Sequence, residues 1–330
     1  MTRRLGEVAQ KVGVSEATVS RVLNGKPGVS DSTRSTVLTA LDVLGYERPT
    51  QLRGDRARLV GLVLPELGNP IFPAFAEVLA SGIASRGLTP VLCVGAAGGV
   101  SEPAYVQMLL QQQVSGVVFV GGTQAEADAP HDHFARLAAR GVPVVLVNAS
   151  VDRLGFPTVC TDDRAAVNIA VSHLRSLGHR RIGLVLGPPD HVPSGRKQAA
   201  FAALEGQDAA VEHTFFSLEG GQAAAALLLN RGVTALVCAS DPLALGAVRA
   251  VRRAGLRVPS DVSVVGFDDS PLMACTEPAL TTVRQPIEAM GRAALTLLTG
   301  QIDGAFTAPS EMLFEPELVV RASTGGAPPA

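Results

Sequence analysis

The sequence predicts an all-α helix-turn-helix headpiece of three helices followed by an α/β core of two lobes. Three observations carry this. Two short helical patterns separated by a glycine-containing break fill residues 5–24, with a third pattern close behind. From Leu59 onward, continuous apolar runs alternate with Ala- and Leu-rich helical stretches, the pattern of parallel sheets covered on both faces. LVGLVLP at 59–65 is echoed by RIGLVLGP at 181–188, so the core reads as two similar doubly wound units.

The head comes first. Leu5, Val8, Ala9 and Val12 share one helical face. Gly13-Val14 breaks that helix and Ser15 caps the next, whose apolar stripe is Val19, Val22 and Leu23. Asn24-Gly25-Lys26-Pro27-Gly28 is a turn-rich loop. Ser30 caps a third helix with Val37, Leu38, Leu41 and Leu44 inward and Gly45 as its stop. Residues 46–58, YERPTQLRGDRAR, are polar and read as a linker, which divides the chain into 1–45, 46–58 and 59–330.

Core strands are expected at 59–64, 90–95, 116–121, 142–148, 181–187, 235–240 and 262–268. In such sheets ligands lie at the carboxyl ends of the strands, and between two lobes the cleft is the natural pocket.

Aromatics make up only 4% of the chain and Trp is absent, so the cores must be aliphatic. No apolar run has the length of a membrane span, and MTRRLGEVAQKVG lacks the apolar stretch of a secretory signal. Cys93, Cys160, Cys238 and Cys275 have no zinc-ligand spacing and read as reduced core thiols of a cytoplasmic protein. His131 and His133 sit in a polar stretch and read as solvated. Residues 1–60 carry 10 Lys+Arg against 6 Asp+Glu, and the remainder 18 against 24. A basic head on an acidic body suggests that the head meets a polyanion.

On the second helix Glu16, Ala17, Ser20 and Arg21 fall together opposite the apolar stripe, where a major groove would meet them. The segment LGEVAQKVGVSEATVSRVLNGKPGVSDSTRSTVLTALDVLGY closely resembles the DNA-binding headpiece of the lactose/galactose repressor family of bacterial transcription regulators. The resemblance continues through HLRSLGHRRIGLVLGP (173–188), ASDPLALGAVRAVRRAGLRVPSDVSVVGFDDSP (239–271) and LTTVRQP (280–286). Through YERP (46–49), LEGGQAAA and VVGFDDSP it is most similar to actinobacterial regulators of maltose and maltodextrin use.

That resemblance implies a homodimer bound to a pseudo-palindromic operator in double-stranded DNA. It makes Glu16 and Ala17 the operator-selecting residues and Arg21 a further base contact. Ser15, Thr18 and Ser20 take positions near phosphates, with Ser30 and Thr33 as further candidates. The chemistry agrees: Glu accepts from cytosine N4, Ala contacts a thymine methyl, and phosphate contacts only position the helix. Family members usually insert a hinge-helix Leu into the minor groove. Here Leu52, flanked by Arg48 and Arg53, is the candidate wedge, and the other reading of this short segment is a basic linker without one.

The core resembles the type I periplasmic sugar-binding fold, which implies a sugar effector. The resemblance marks Asn69, Phe72, Asn148, Asp268 and Gln285 as effector contacts. Asp162 or Asp163 follows the strand TVCT: Asp162 as a cleft residue and Asp163 as a cap is one reading, the reverse the other. Ser240 is placed nearer the ligand and Asp241 as the cap of the next helix. Where the family commonly has an Arg four residues before an aromatic, this chain has Lys197 before Phe201, with Arg196 beside it. A point charge there replaces a planar fork. Asp268 and Asp269 are adjacent and point apart, which argues against a glycosidase pair. No phosphate loop, nucleophile elbow, metal-spaced His cluster or dinucleotide fingerprint is present, so no cofactor, metal or catalytic residue is expected. A sugar-responsive DNA-binding repressor is the leading expectation, and a sugar-modifying enzyme or binding protein with a helical appendage the alternative.

Overall fold

The computed structural model describes residues 2–23, 28–43, 58–95, 98–151, 154–206 and 208–329. The chain divides into two compact units, Met1–Arg58 and Leu59–Ala330.

In the first unit, α1 (Thr2–Val12), α2 (Glu16–Leu23) and α3 (Asp31–Val43) enclose a small core of Val8, Ala9, Val19, Val22, Val37 and Ala40, with Val12, Val14 and Val29 packed against it. Gly13 makes the turn between α1 and α2 at φ +75°, a left-handed conformation that costs a glycine little. The N–H groups of Gly13 and Val14 both return to the Ala9 carbonyl, at 2.9 and 3.0 Å, and so close α1. The expected loop at 24–27 and the helix stop at Gly45 lie outside the described residues, as do Arg48, Leu52 and Arg53.

The second unit runs β1 (Arg58–Leu64), α4 (Ile71–Ala84), β2 (Leu88–Val94), α5 (Glu102–Gln111), β3 (Gly116–Val120), α6 (Asp132–Ala139), β4 (Val144–Val147) and β5 (Thr158–Thr161). It continues with α7 (Asp163–Ser176), β6 (Ile182–Leu186), α8 (Val192–Glu205), β7 (Ala210–His213), α9 (Leu218–Asn230), β8 (Ala235–Cys238), α10 (Asp241–Arg253), β9 (Ser263–Asp268) and β10 (Thr281–Arg284). It ends with α11 (Ile287–Ile302), β11 (Glu311–Phe314) and β12 (Glu317–Val319).

These strands form two six-stranded sheets, β2-β1-β3-β4-β5-β11 and β7-β6-β8-β9-β10-β12. The two orders are the same, as the echoed strands implied. The last strand breaks the symmetry: β11 joins β5 in parallel, whereas β12 runs antiparallel to β10. The segment LTTVRQP, read from sequence as a crossover, contains β10. Central strands such as β3, β6 and β9 are buried along their whole length, which explains their unbroken apolar character.

The chain crosses between lobes at Asp162, at Gln285-Pro286 and at Glu315-Pro316. Helix α11 follows a strand of the second sheet, but its Met290, Ala294, Leu295 and Leu298 are buried in the core of the first lobe. Helices α9 and α10 meet through Gly221 and Gly246. A Cβ on Gly246 would fall 2.2 Å from the Leu218 carbonyl oxygen, so two backbones touch there. Among the described residues no helix is long and apolar enough to cross a membrane.

Candidate functional sites in the headpiece and the interlobe cleft

On the headpiece, Glu16, Ala17 and Arg21 are exposed, and Thr18 and Ser20 are half-buried. Ser15 caps α2, its Oγ accepting from the Thr18 N–H at 3.2 Å while sharing a 2.9 Å hydroxyl bond with Thr18. Ser30 does the same for α3, accepting from the Thr33 N–H at 3.2 Å and meeting the Thr33 hydroxyl at 2.8 Å. The Glu16 carboxylate leans over α1, since a Cβ on Gly6 would lie 2.9 Å from its Oε1. Arg21 reaches back toward Gly28, whose added Cβ would lie 3.9 Å from its Nη1.

Between the two sheets of the second unit lies a cavity of about 450 Å³. Strand order places it: its lining comes from the last residues of β5 and β9 and from the segments after β1, β3, β4, β5, β6, β7, β8 and β10, the carboxyl ends on both sides. Asn69, Phe72, Asn148, Lys197, Ser240, Asp268 and Gln285 all line it. Asn148, Ala149, Asp268 and Asp269 have φ of +67°, +84°, +115° and +59°. Backbone held in this region clusters where a strand end presents a side chain to a ligand.

Asp268 and Gln285 form the floor. The Gln285 amide donates to Asp268 Oδ1 at 2.7 Å, and its carbonyl accepts from Thr161 Oγ1 at 2.8 Å. A residue at a crossing thus joins β5 of one lobe to β9 of the other. Burial, and then the charge of Asp241, push the Asp268 carboxyl well above the usual carboxylate range, against Gln285, Lys197 and Asn69.

Three expectations at the cleft need correction. Asp162 does not line the cavity. Its Oδ1 caps α7 by accepting from the Ala165 N–H at 2.9 Å, and the buried Asp163 faces the cavity paired with Lys197. A carboxylate one residue before the helix is placed to accept from the free N–H groups of the first turn, and Asp162 takes that place. Arg196 is also absent from the lining. It pairs with Glu311 at 2.6 Å, linking α8 to β11 across the lobes, while Lys197 turns inward with its Nζ 4.1 Å from the Phe267 ring centroid. Finally Ser240, besides lining the cavity, is itself the cap of α10, accepting from the Leu243 N–H at 3.3 Å. Asp241 is not that cap. Its fully buried carboxylate accepts from the Ser270 N–H (2.7 Å), the Ser270 hydroxyl (2.8 Å) and the Thr282 hydroxyl (2.7 Å), fixing the loop after Asp268. Asp269 points out of the cavity, to Arg284 at 2.7 Å and Arg321 at 2.6 Å.

Elsewhere, His133 is buried, not solvated, and bonded to Glu102 at 2.7 Å, while His131 bonds the Thr123 carbonyl at 2.7 Å. Cys275 is exposed, unlike the other three cysteines.

The lining also contains Glu66, Glu126, Asp190, His191, Phe215 and Phe216, which sequence reading did not single out. Each follows a strand end, so the rule that locates the cleft would have found them. Burial, then Lys197, pushes His191 down to about 3, so its imidazole is neutral. Lys197 is therefore the one cation among the described lining residues, which also include the carboxyl groups of Glu66, Glu126, Asp163, Asp190 and Asp268. Among the described residues no group of three or more His, Cys, Asp or Glu side chains is placed to hold a metal ion.

Residues 4–49 match the family described as bacterial regulatory proteins, lacI family, and residues 171–324 a periplasmic binding protein-like domain. The HTH-type transcriptional regulator MalR of Streptomyces coelicolor is 52% identical, over 99% of this chain and 98% of that protein. A structure of the transcriptional regulator CelR in complex with cellobiose is 33% identical, with a TM-score of 0.73 over 97% of this chain and 99% of that one. A lac repressor dimer bound to operator and the anti-inducer ONPF is 30% identical, with a TM-score of 0.72 over 96% of this chain and 98% of that one. With its helix-turn-helix head, its two-sheet core and relatives matched end to end, the chain belongs to the lacI family of bacterial regulatory proteins, which are DNA-binding transcriptional regulators and not enzymes.

Proposed function

We propose that this chain acts in the cytoplasm as a homodimeric repressor of carbohydrate-use genes, with an uncharged sugar in the interlobe cleft tuning its hold on a pseudo-palindromic operator. Maltose or a malto-oligosaccharide is the favoured effector. The observation that carries the effector half is the floor of the cleft. Asp268 and Gln285 are buried polar groups converging on one cavity, and their hydrogen bonds already tie one lobe to the other. A ligand bonding to Asp268 competes within that tie and biases the relative pose of the lobes, a coupling of about 1–3 kcal/mol in such systems. In this reading Glu16, Ala17 and Arg21 face base edges, Ser15, Thr18, Ser20, Ser30 and Thr33 lie near phosphates, and Leu52 with Arg48 and Arg53 engages the minor groove.

The regulatory relatives and the cellobiose complex of CelR support this reading. The test is an operator-binding titration with and without a panel of neutral sugars. A shift of operator affinity by about fivefold or more with one of them is expected. Unchanged affinity with every sugar, beside intact operator binding, removes the effector half and leaves the DNA-binding half standing.

A further inference from the structure

Gly6 stands in the interior of α1, which runs from Thr2 to Val12. Glycine is a poor helix former, because its backbone loses the most freedom on ordering. The other described glycines of the headpiece have a backbone reason for their place: Gly13 and Gly28 have φ of +75° and +97°. Gly6 lies outside the left-handed region, in a helix that alanine would favour.

The reason for Gly6 is space. A Cβ there would lie 2.9 Å from Oε1 and 3.8 Å from Cδ of Glu16, the first residue of α2. The shorter distance is inside ordinary van der Waals contact, which begins at 3.4 Å. Beyond α1 itself, the Glu16 carboxylate is what that Cβ would meet among the described residues. Glu16 is nevertheless exposed, on the face that also carries Ala17 and Arg21. Its carboxylate therefore leans over Gly6 and stays open to a donor. A free glutamate side chain must give up rotamer freedom when it bonds to a base edge, and a seat on the protein lowers that cost in advance.

We propose that Gly6 is a positioning residue for operator selection: its missing Cβ leaves a seat on α1 that sets the Glu16 carboxylate before DNA arrives. A methyl group at residue 6 pushes the carboxylate out of this seat and leaves the helices in place, because the tip of a flexible side chain yields before backbone does. The proposal rests on the reading of Glu16 as a residue that accepts from a base.

The test uses the full-length protein, its Gly6→Ala and Glu16→Ala variants and the double variant. Each is presented with a pool of DNA duplexes randomised across the binding site, and sequencing of the bound fraction gives the base preference at every position. Glu16→Ala is expected to lower the preference at one base pair of each half-site by about tenfold. Gly6→Ala should lower the preference at that same pair by about threefold or more, and should add nothing once Glu16 is replaced. Its affinity for a duplex of unrelated sequence should stay within about twofold of the wild type, since phosphate contacts supply that binding. Its melting curve should not shift downward, because alanine favours the helix. Preferences unchanged by Gly6→Ala, a loss spread equally over all positions, or the same effect with Glu16 already replaced overturns the proposal and leaves Glu16 as a selector. A Gly6→Ala variant that melts lower has a packing defect, which also overturns it. Glu16→Ala without effect on any preference overturns both this proposal and the reading of Glu16.

Discussion

Glu16 begins α2 with a carboxylate at the end of the helix where backbone N–H groups point outward, so its charge is compatible with the helix even though DNA repels it. It is exposed on the face opposite Val19 and Val22. If it selects operator sequence by accepting from a base, Glu16→Ala lowers discrimination between operator and non-operator DNA and raises non-specific affinity slightly, because a negative charge is lost. Paired titrations on the two DNAs measure this, and an equal gain on both would make Glu16 a repulsive bystander. Beneath the cleft, the Asp241 carboxyl is pushed up to about 6, chiefly by burial. Its unfolded value is the usual 3.8, so the folded state holds the proton more tightly. The resulting stability is complete below about pH 4 and is lost as the pH rises through 6. Asp241 thus contributes a fall in the melting temperature of the core over that window, opposed by the rise that the depressed His191 contributes, and Asp241→Asn should remove the Asp241 contribution and change the slope there. A profile equally steep in the variant assigns the titration elsewhere.

At the scale of elements, α9 and α10 touch because Gly221 and Gly246 let them. A Cβ at Gly221 would fall 2.3 Å from the Leu243 carbonyl oxygen, so neither helix can carry a side chain at the crossing without moving the other. Gly246→Val should destabilise the core by about 3 kcal/mol or more, because backbone cannot yield as a flexible side chain can. Urea unfolding measures the loss, and a change below about 1 kcal/mol would mean that the pair separates easily. The same helices show how far local patterning reads. Alternating apolar runs located the long buried strands, because a strand buried on both faces has no polar position to interrupt it. They did not mark β10 or β11, since Thr281 and Thr282 are polar but buried, and β11 is an edge strand with Met312 and Leu313 exposed.

Across the whole core, the Arg196–Glu311 pair and the backbone bond from Ala127 N–H to the Asp190 carbonyl (2.9 Å) join one lobe to the other around the cavity. Both members of the ion pair are about one-third exposed, so its net worth is within about 1 kcal/mol. It can bias the pose of the lobes by no more than that. Arg196→Ala is thus expected to change effector affinity by less than about fivefold, with the combined Arg196→Ala, Glu311→Ala variant no worse than either alone. A tenfold or larger loss would mean that Arg196 touches the ligand, as the sequence had suggested.

By itself the sequence determined the headpiece, the alternation of strand and helix, the doubling of the lobes and the strand ends where a ligand belongs. Each is written in local spacing: 3.6-residue periodicity, unbroken apolar runs, capping serines and a motif of contiguous residues. Neighbours in sequence with the same chemistry were decided by the tertiary structure alone. Asp162 caps while Asp163 faces the cavity, Arg196 crosses between lobes while Lys197 turns inward, and Phe216 packs while Phe215 stands exposed. In each pair the two side chains leave the backbone in different directions. What each meets is set by residues far away in the chain, such as Glu311 for Arg196 and His191 for Phe216, which only the folded lobes bring together.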